Sequence, residues 1–442
     1  MASAASQPAS PSRAPAARPG VLLRSAGARQ GALIGAAMVA AGGFDYAVNV
    51  IAGRWLQPVQ FGAFVSVTAI LQVLLSLSIA VRMVTAYYTA ALTRAGDEQV
   101  GAFLRRAWRW SWRWGLVATA LVALASPWMA RVLRLPHPWP LFAASAMVLM
   151  LFLREMSYGA LQGVQAFAGL GLVQVTQAAL RLAFAAALIR LGAGCTGAVL
   201  AQPLGCVGAL LLALWWLRPY RSGPDLPPLA VNRWYSLATL VGLAVFGVLS
   251  NLDALFVKHW FSPRIAGDYG TVVTLEKMSL FVPWAVGFVL FPKVAKRKAD
   301  GEDTRPIVLL SLAAALVPGL ALTVAYFAFP GALVRLCFGP AYADPGIVLG
   351  LASLAATLQA GVQIWLNYAL STGRNAYVYL LAGVLGLQAC ALYLFCRDSV
   401  LSMTVVMVMA GLLANVAGYA TTCLASCPAG PAPDAVRQPT GA

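Results

Sequence analysis

Charge is scarce in this chain: 31 Lys or Arg and 14 Asp or Glu among 442 residues. A soluble globular domain carries charge on roughly a quarter of its residues, so that class is excluded. Histidine occurs twice, as His137 and His259, and the seven cysteines include no Cys-x-x-Cys pair. Neither a metal site nor a His-based catalytic arrangement can be assembled from that inventory, and no cofactor is expected. Both histidines read as residues of the membrane–water interface, and Cys423 with Cys427 as helix packing. A phosphate-cradling Gly-x-x-x-x-Gly-Lys-Ser/Thr stretch is also missing, which argues against built-in ATP hydrolysis. The connections between apolar runs are too short for a soluble domain of ~50 residues, so no catalytic domain is expected outside the membrane.

Apolar length is what the chain has instead. Sixty per cent of its residues are hydrophobic, and the mean hydropathy is +0.77. Because ~20 apolar residues cross ~30 Å of hydrocarbon, twelve spans are expected. They are 31–52, 61–81, 114–132, 139–161, 166–189, 195–217, 236–257, 267–292, 307–330, 346–370, 376–396 and 400–423. The expected fold is an all-α polytopic membrane protein, with bundles of six helices over 31–217 and 236–427 around a central cavity. The longest polar connections are 82–113 and 218–235, the latter a breaker-rich linker between the bundles. Residues 1–30 are basic, lack acidic side chains and read as a disordered tail rather than a signal peptide; 428–442 reads as a second tail.

Alternating the loops from a cytoplasmic N-terminus puts about 21 of the 31 Lys and Arg inside and about 8 outside. Both termini are therefore expected in the cytoplasm. The net charge of +17 is accounted for by topology and anionic lipid headgroups, not by nucleic acid. The run Trp108-Arg-Trp-Ser-Trp-Arg-Trp114 fits an aromatic belt with basic anchors at a span entrance.

The chain also repeats itself. Trp55, Pro58, Gly62 and Phe64 are answered 205 positions later by Trp260, Pro263, Gly267 and Tyr269. A slightly different offset pairs Leu133-Arg-Leu135 with Val334-Arg-Leu336, and Tyr158 to Gly163 with Tyr368 to Gly373. An even number of spans per copy makes the repeats parallel, an organisation found in secondary transporters that bind substrate between their halves. The signature Trp-x-x-Pro-x-x-x-Gly-x-Phe/Tyr falls at the short outer turn after the first span of each half, and reads as scaffolding for an outer gate.

Polar residues within spans are costly and therefore informative. Gln174, Gln177 and Arg181 share one helical face, either as a wet cationic stripe or as a hydrogen-bonded seam with a buried ion pair. Gln359, Gln363 and Asn367 recur at spacings of four, suited to sugar hydroxyls or to a helix–helix seam. Glu276 and Lys277 point about 100° apart, so Lys277 is a candidate anion contact and Glu276 a candidate proton acceptor. Asp45 with Asn49, and Asn251 with Asp253, are candidates for a coupling cation or proton, or for ties between helices. Arg82, Arg154 and Glu155 lie toward the inner ends of their spans, where Arg82 could snorkel to the interface.

Two segments carry a family resemblance. Arg54-Trp-Leu-Gln-Pro-Val-Gln-Phe-Gly-Ala-Phe64 resembles the opening of bacterial polysaccharide-biosynthesis membrane proteins, the Wzx-like oligosaccharide flippases. The block from Ser250 to Lys258, then Phe261 to Tyr269, Pro283 and Leu290-Phe-Pro-Lys-Val294 is similar to the same family, and the resemblance covers about 40–425. It implies transport of a polyprenyl-pyrophosphate-linked oligosaccharide to the outer leaflet of a bacterial inner membrane, with no enzymatic step. It implies as partners the lipid-linked oligosaccharide, membrane lipids and the polymerase and export proteins of the same route. No strict family motif assigns site residues. Position and charge nominate Arg181, Lys277, Arg82 and Arg154 for the phosphates, and Gln174, Gln177, Gln359, Gln363 and Asn367 for the sugars. Asp45, Asp253 and Glu276 are nominated for coupling. A multidrug–cation antiporter of the same superfamily, a membrane polymerase or ligase, and a purely structural subunit are the rival readings.

Overall fold

In hydrocarbon every backbone N–H and C=O must find its partner within the chain, so apolar runs of this length have to be helices. The computed structural model describes residues 26–93, 96–221, 233–280, 305–372 and 376–424. Among the described residues there are helices and no strand. The first half supplies α1 (Ala26–Trp55), α2 (Pro58–Thr93), α3 (Asp97–Val132), α4 (Trp139–Gly163), α5 (Phe167–Arg190) and α6 (Gly194–Trp216). The second half supplies α7 (Arg233–Leu249), α8 (Leu252–Trp260), α9 (Pro263–Glu276), α10 (Arg305–Ala328), α11 (Pro330–Phe338), α12 (Ile347–Thr372), α13 (Ala376–Phe395) and α14 (Val400–Tyr419). Ten of the described helices are long and apolar enough to cross a membrane. The count is eleven when α7 and α8, bent by 45° at their break, are taken as one span. The expected span 267–292 begins as α9 and a 3-10 turn over Lys277–Leu280; its remainder lies outside the described residues. So do residues 1–25, 222–232 and 425–442 of the expected tails and linker, although 26–30 already belong to α1.

Two local features differ from the sequence reading. The expected polar connection 82–113 is helical over 82–93 and 97–113, because α2 continues to Thr93 and α3 starts at Asp97. Each of these helices has 36 residues, about 54 Å at 1.5 Å per residue. No Gly or Pro interrupts 82–93, and Asp97 and Glu98 suit the positive first turn of α3. Charge ended the apolar run there without ending the helix. The second difference is α11, a short helix that follows a break at Phe329. Pro127 is accommodated inside α3, whereas Pro330, at the matching place in the second half, starts a new helix.

The two halves pack alike. α1 lies on α5, α2 and α3 on α4, and α5 on α6; correspondingly α7 lies on α13, α9 and α10 on α12, and α13 on α14. The signature tryptophans keep the same neighbour in each copy. The Arg190 guanidinium sits 4.5 Å from the centre of the Trp55 ring, and Arg397 sits 4.4 Å from that of Trp260.

Both signatures lie at one end of the bundle, termed the signature face, and there the halves meet. A Cβ on Gly267 would fall 2.2 Å from the Pro58 carbonyl oxygen, and one on Gly62 would fall 2.8 Å from the Gly267 nitrogen. α2 and α9 thus touch backbone to backbone, which only glycine allows. Around this contact Phe61 packs against Phe338 and Tyr342, with ring centroids 5.7 and 5.8 Å apart. Tyr342 also donates a 2.6 Å hydrogen bond to the Gly53 carbonyl. Farther from that face α2 stays against α7, where Ile79 and Ala80 pack with Leu243 and Phe246. The side-chain bonds of α1 to the second half, by contrast, come from Tyr46 and Arg54, in its portion nearer the signature face.

Candidate functional site

Helix packing builds the first cluster. Gly159 on α4 lets α2 approach so closely that a Cβ there would lie 2.5 Å from the Arg82 carbonyl oxygen. That approach sets Arg82 beside Glu155, whose side chain is fully buried. Arg82 Nε donates to Glu155 Oε2 at 2.5 Å, while Arg154 donates to Oε1 from Nη2 at 2.5 Å and from Nε at 2.9 Å. The network continues to α5, where Gln177 Oε1 accepts from Tyr158 at 2.7 Å and from Arg154 at 3.4 Å. Both guanidinium groups also lie over the Tyr158 ring, at 5.5 and 5.6 Å. Two cations share one carboxylate, so the cluster keeps one net positive charge inside the bundle.

One turn along α5 from Gln177, Arg181 Nη1 donates to Asp45 of α1 at 2.7 Å. The Arg181 side chain is buried and its Nε has no partner among the described residues, yet the Asp45 side chain is 46% exposed. Asp45 stands ten residues in from the end of α1, about 15 Å below that face. A carboxylate so exposed at mid-span depth points to water between helices rather than to lipid. Asn49 donates to the Asp45 backbone carbonyl and so belongs to the helix itself.

The second half breaks at the matching depth. Between α7 and α8 the helical ladder stops at Ser250 and Asn251, freeing carbonyls that side-chain amides then satisfy. Asn251 Nδ2 donates to the Gly247 carbonyl at 2.9 Å, and Gln388 Nε2 donates to that of Leu249 at 3.3 Å. Asn251 Oδ1 accepts from Lys277 Nζ at 2.7 Å, and the buried Asp253 accepts from Tyr269 at 2.8 Å. Glu276 is buried next to Lys277 at the end of α9, where Tyr326 donates to the freed Leu275 carbonyl at 2.9 Å.

The nominated residues therefore sort into three places. Arg82, Arg154 and Gln177 come together in the first half; Arg181 and Asp45 form a pair; Lys277, Asp253 and Glu276 gather at the break in the second half. Arg181 is paired with Asp45 and Lys277 is held by the Asn251 amide, whereas Arg82 and Arg154 share a single carboxylate. The notion of Arg82 snorkelling to the interface is corrected: it bonds Glu155 instead, because a buried carboxylate holds it. Gln174, Gln363 and Asn367 are half-buried, Gln359 is buried, and Gln363 Oε1 lacks a partner among the described residues. Among the described residues, no hydrogen bond draws these four into the clusters. Sequence reasoning passed over Glu155 as the anchor of two arginines, and Tyr158, Tyr269 and Gln388 as polar partners. The acid beside Arg154 and the tyrosine opening the repeated Tyr158 to Gly163 stretch were the available signals.

Comparison with solved structures places this geometry in a known fold. The chain superposes on an inward-facing multidrug resistance MATE family transporter of the MOP superfamily with a TM-score of 0.64 at 13% identity, over 85% of this chain and 93% of the other. An outward-facing MATE family transporter gives 0.56 at 14% identity, over 91% and 96% of the two chains. A MOP superfamily transporter from Pyrococcus furiosus, described as having a binding pocket of reversed polarity, gives 0.57 at 14% identity over 91% and 98%. No curated protein sequence matches the chain. The model of the family described as polysaccharide biosynthesis protein matches residues 51–345, which include both signatures, α2, Arg82, Arg154, Glu155 and the break at Asn251. With two thirds of its length so matched, the chain belongs to the polysaccharide biosynthesis protein family.

Proposed function

We propose that the protein is a flippase of a bacterial inner membrane, carrying a polyprenyl-diphosphate-linked oligosaccharide from the inner to the outer leaflet by alternating access. Both termini lie in the cytoplasm on this reading, and the signature face is the outer one. The observation that carries it is the buried pair of arginines held by a single carboxylate. A diphosphate cannot enter hydrocarbon unassisted, and a cationic group inside the bundle is the compensation it needs. Arg82 and Arg154 offer such charge, and Glu155 keeps both guanidinium groups oriented until phosphate oxygens exchange with it. The closed signature face suits loading from the cytoplasmic side, and the half-exposed Asp45 suits a solvated space between the halves. Family membership supports a role in building polysaccharide, and the transporter fold supports movement as its contribution.

Deletion of the protein is expected to strand lipid-linked glycan in the inner leaflet, and Arg154→Gln to do the same with normal protein levels. Normal surface glycan in an Arg82→Gln, Arg154→Gln double variant would refute the reading. A second reading, a cation-coupled multidrug antiporter, draws on the carboxylates Asp45, Asp253 and Glu276. It predicts the opposite pattern: drug export survives loss of the arginines and fails when those acids are neutralised. In the flippase the same three acids serve coupling, with Asp45 the most exposed of them.

A further inference from the structure

The cross-half bonds at the signature face have an order that the duplication explains. Arg54 and His259 occupy equivalent places, each immediately before a signature tryptophan. Each reaches across to the other half and finds the carbonyl end of a helix. Arg54 donates from Nε to the Cys337 carbonyl at 2.7 Å and from Nη2 to that of Leu336 at 2.5 Å, in the last turn of α11. His259 Nδ1 lies 2.6 Å from the carbonyl of Val132, the last residue of α3. A carbonyl only accepts, so that ring nitrogen carries the hydrogen. By the repeat offset, α11 and the end of α3 are themselves equivalent, so one contact is made twice.

Lys258 is a third basic residue of this seam. It precedes His259 and is 3% exposed, with Cys195, at the start of α6 in the opposite half, nearby. Among the described residues no carboxylate pairs with it. Its counterpart in the first half is Gly53, which packs against Phe338 across the same seam. A lysine sealed in an apolar seam without an acid is costly, and the cost ends when the halves part.

In the closed state, then, Arg54 and His259 face the negative ends of helices of the opposite half, and Lys258 is buried at the same seam. When the signature face opens, those acceptors leave with their own half, and Arg54, Lys258 and His259 are left lining the mouth. We propose that these three residues form a second anion-binding station, masked in this state and unmasked by opening, which takes the diphosphate of the lipid-linked substrate on its way to the outer leaflet. The inference rests on the flippase reading and adds where the head group goes after Arg82 and Arg154. An anion bound there stabilises the open state alone, so the substrate itself favours opening.

The test uses the full chain in lipid nanodiscs, with Cys195 kept and the other six cysteines replaced by serine. The rate of Cys195 modification by a bulky, water-soluble maleimide reports opening. Farnesyl diphosphate, inorganic pyrophosphate and farnesol are compared as probes, and hydrogen exchange at 126–134 and 330–338 in the native-cysteine protein gives a second readout. Farnesyl diphosphate is expected to speed modification and exchange at least about fivefold, farnesol to do nothing, and Lys258→Gln to abolish the response. A pyrophosphate response as large as that to farnesyl diphosphate supports the station as a site for free diphosphate, and a smaller one as a site for the lipid-linked form. Farnesyl diphosphate binding is measured in parallel by tryptophan fluorescence. Binding that is lost in Arg154→Gln, with an unchanged gate response in Lys258→Gln, overturns the station and leaves the flippase standing. Absence of any binding overturns both.

Discussion

Replacing Gly267 by alanine should open the signature face. The new methyl would lie 2.2 Å from the Pro58 carbonyl oxygen and 2.6 Å from its carbon, against 3.4 Å for ordinary contact. About 1.2 Å must be found, and the obstacle is backbone on both sides, so no side chain can swing away. Only a separation of α2 from α9 relieves it. Inserting a methyl into a closed contact costs about 1–3 kcal/mol, and here the cost falls on the closed state alone. The open state therefore gains about 5- to 150-fold in population relative to closed. Spin labels at Gln57→Cys and Ser262→Cys, both exposed and placed beside the two signatures, read the separation as a distance distribution. Gly267→Ala should move weight to longer distances. Gly62→Ala, whose methyl would meet backbone at 2.8 Å, should do so less, and Gly383→Ala, with nothing within 4 Å, not at all. A folded Gly267→Ala protein with the wild-type distribution would show that this contact does not hold the face shut.

Glu155→Gln should lower thermal stability in detergent by about 3–5 kcal/mol, since Arg82 and Arg154 would be left buried without their shared carboxylate. Asp45→Asn and Arg181→Gln should each impair folding or transport, whereas the double variant should lose less than their sum. A coupling of about 0.5–3 kcal/mol in a double-mutant cycle checks the pair. Asn251→Ala strips a donor from the Gly247 carbonyl and an acceptor from Lys277. Unfolding should report a cost of about 1–3 kcal/mol for each group left unsatisfied.

The helical architecture was legible because hydrocarbon permits few alternatives, and runs of apolar residues near twenty long mark the spans directly. Helix ends were not, since apolar length measures the membrane and not the helix. α2 runs to Thr93, but the apolar signal fades by Arg82, about ten residues earlier. The break at Asn251 was hidden for the opposite reason, because apolar residues continue across it and its signal is one amide that can bond its own helix. Within the site, the residue types were visible and the pairings were not. Arg82 and Glu155 are 73 positions apart, and what brings them together is the absence of a side chain at Gly159. A single sequence lists costly charges; which of them neutralise one another depends on helix rotation, and rotation is set by small residues on facing surfaces.

Duplication gave both halves one plan, and a clear departure from it lies at mid-depth. At mid-depth the first half joins α5 to α1 through a charged pair, Arg181 to Asp45. The second half joins the equivalent α13 to α7 through Gln388 and the Leu249 carbonyl, which is free only because the helix is broken there. One side thus carries an ion pair on an intact helix, the other an amide capping a broken one. A carboxylate that is 46% exposed is open to water and to a cation, whereas a buried amide on a backbone carbonyl has nothing to exchange. If movement of the halves is tied to an ion, Asp45 is therefore the place in the first half where the tie can be made. The scaffold contacts, Trp55 on Arg190 and Trp260 on Arg397, stayed alike in both copies because each half must close against the other in the same way. The polar contacts diverged at mid-depth, and the packing was kept at the signature face.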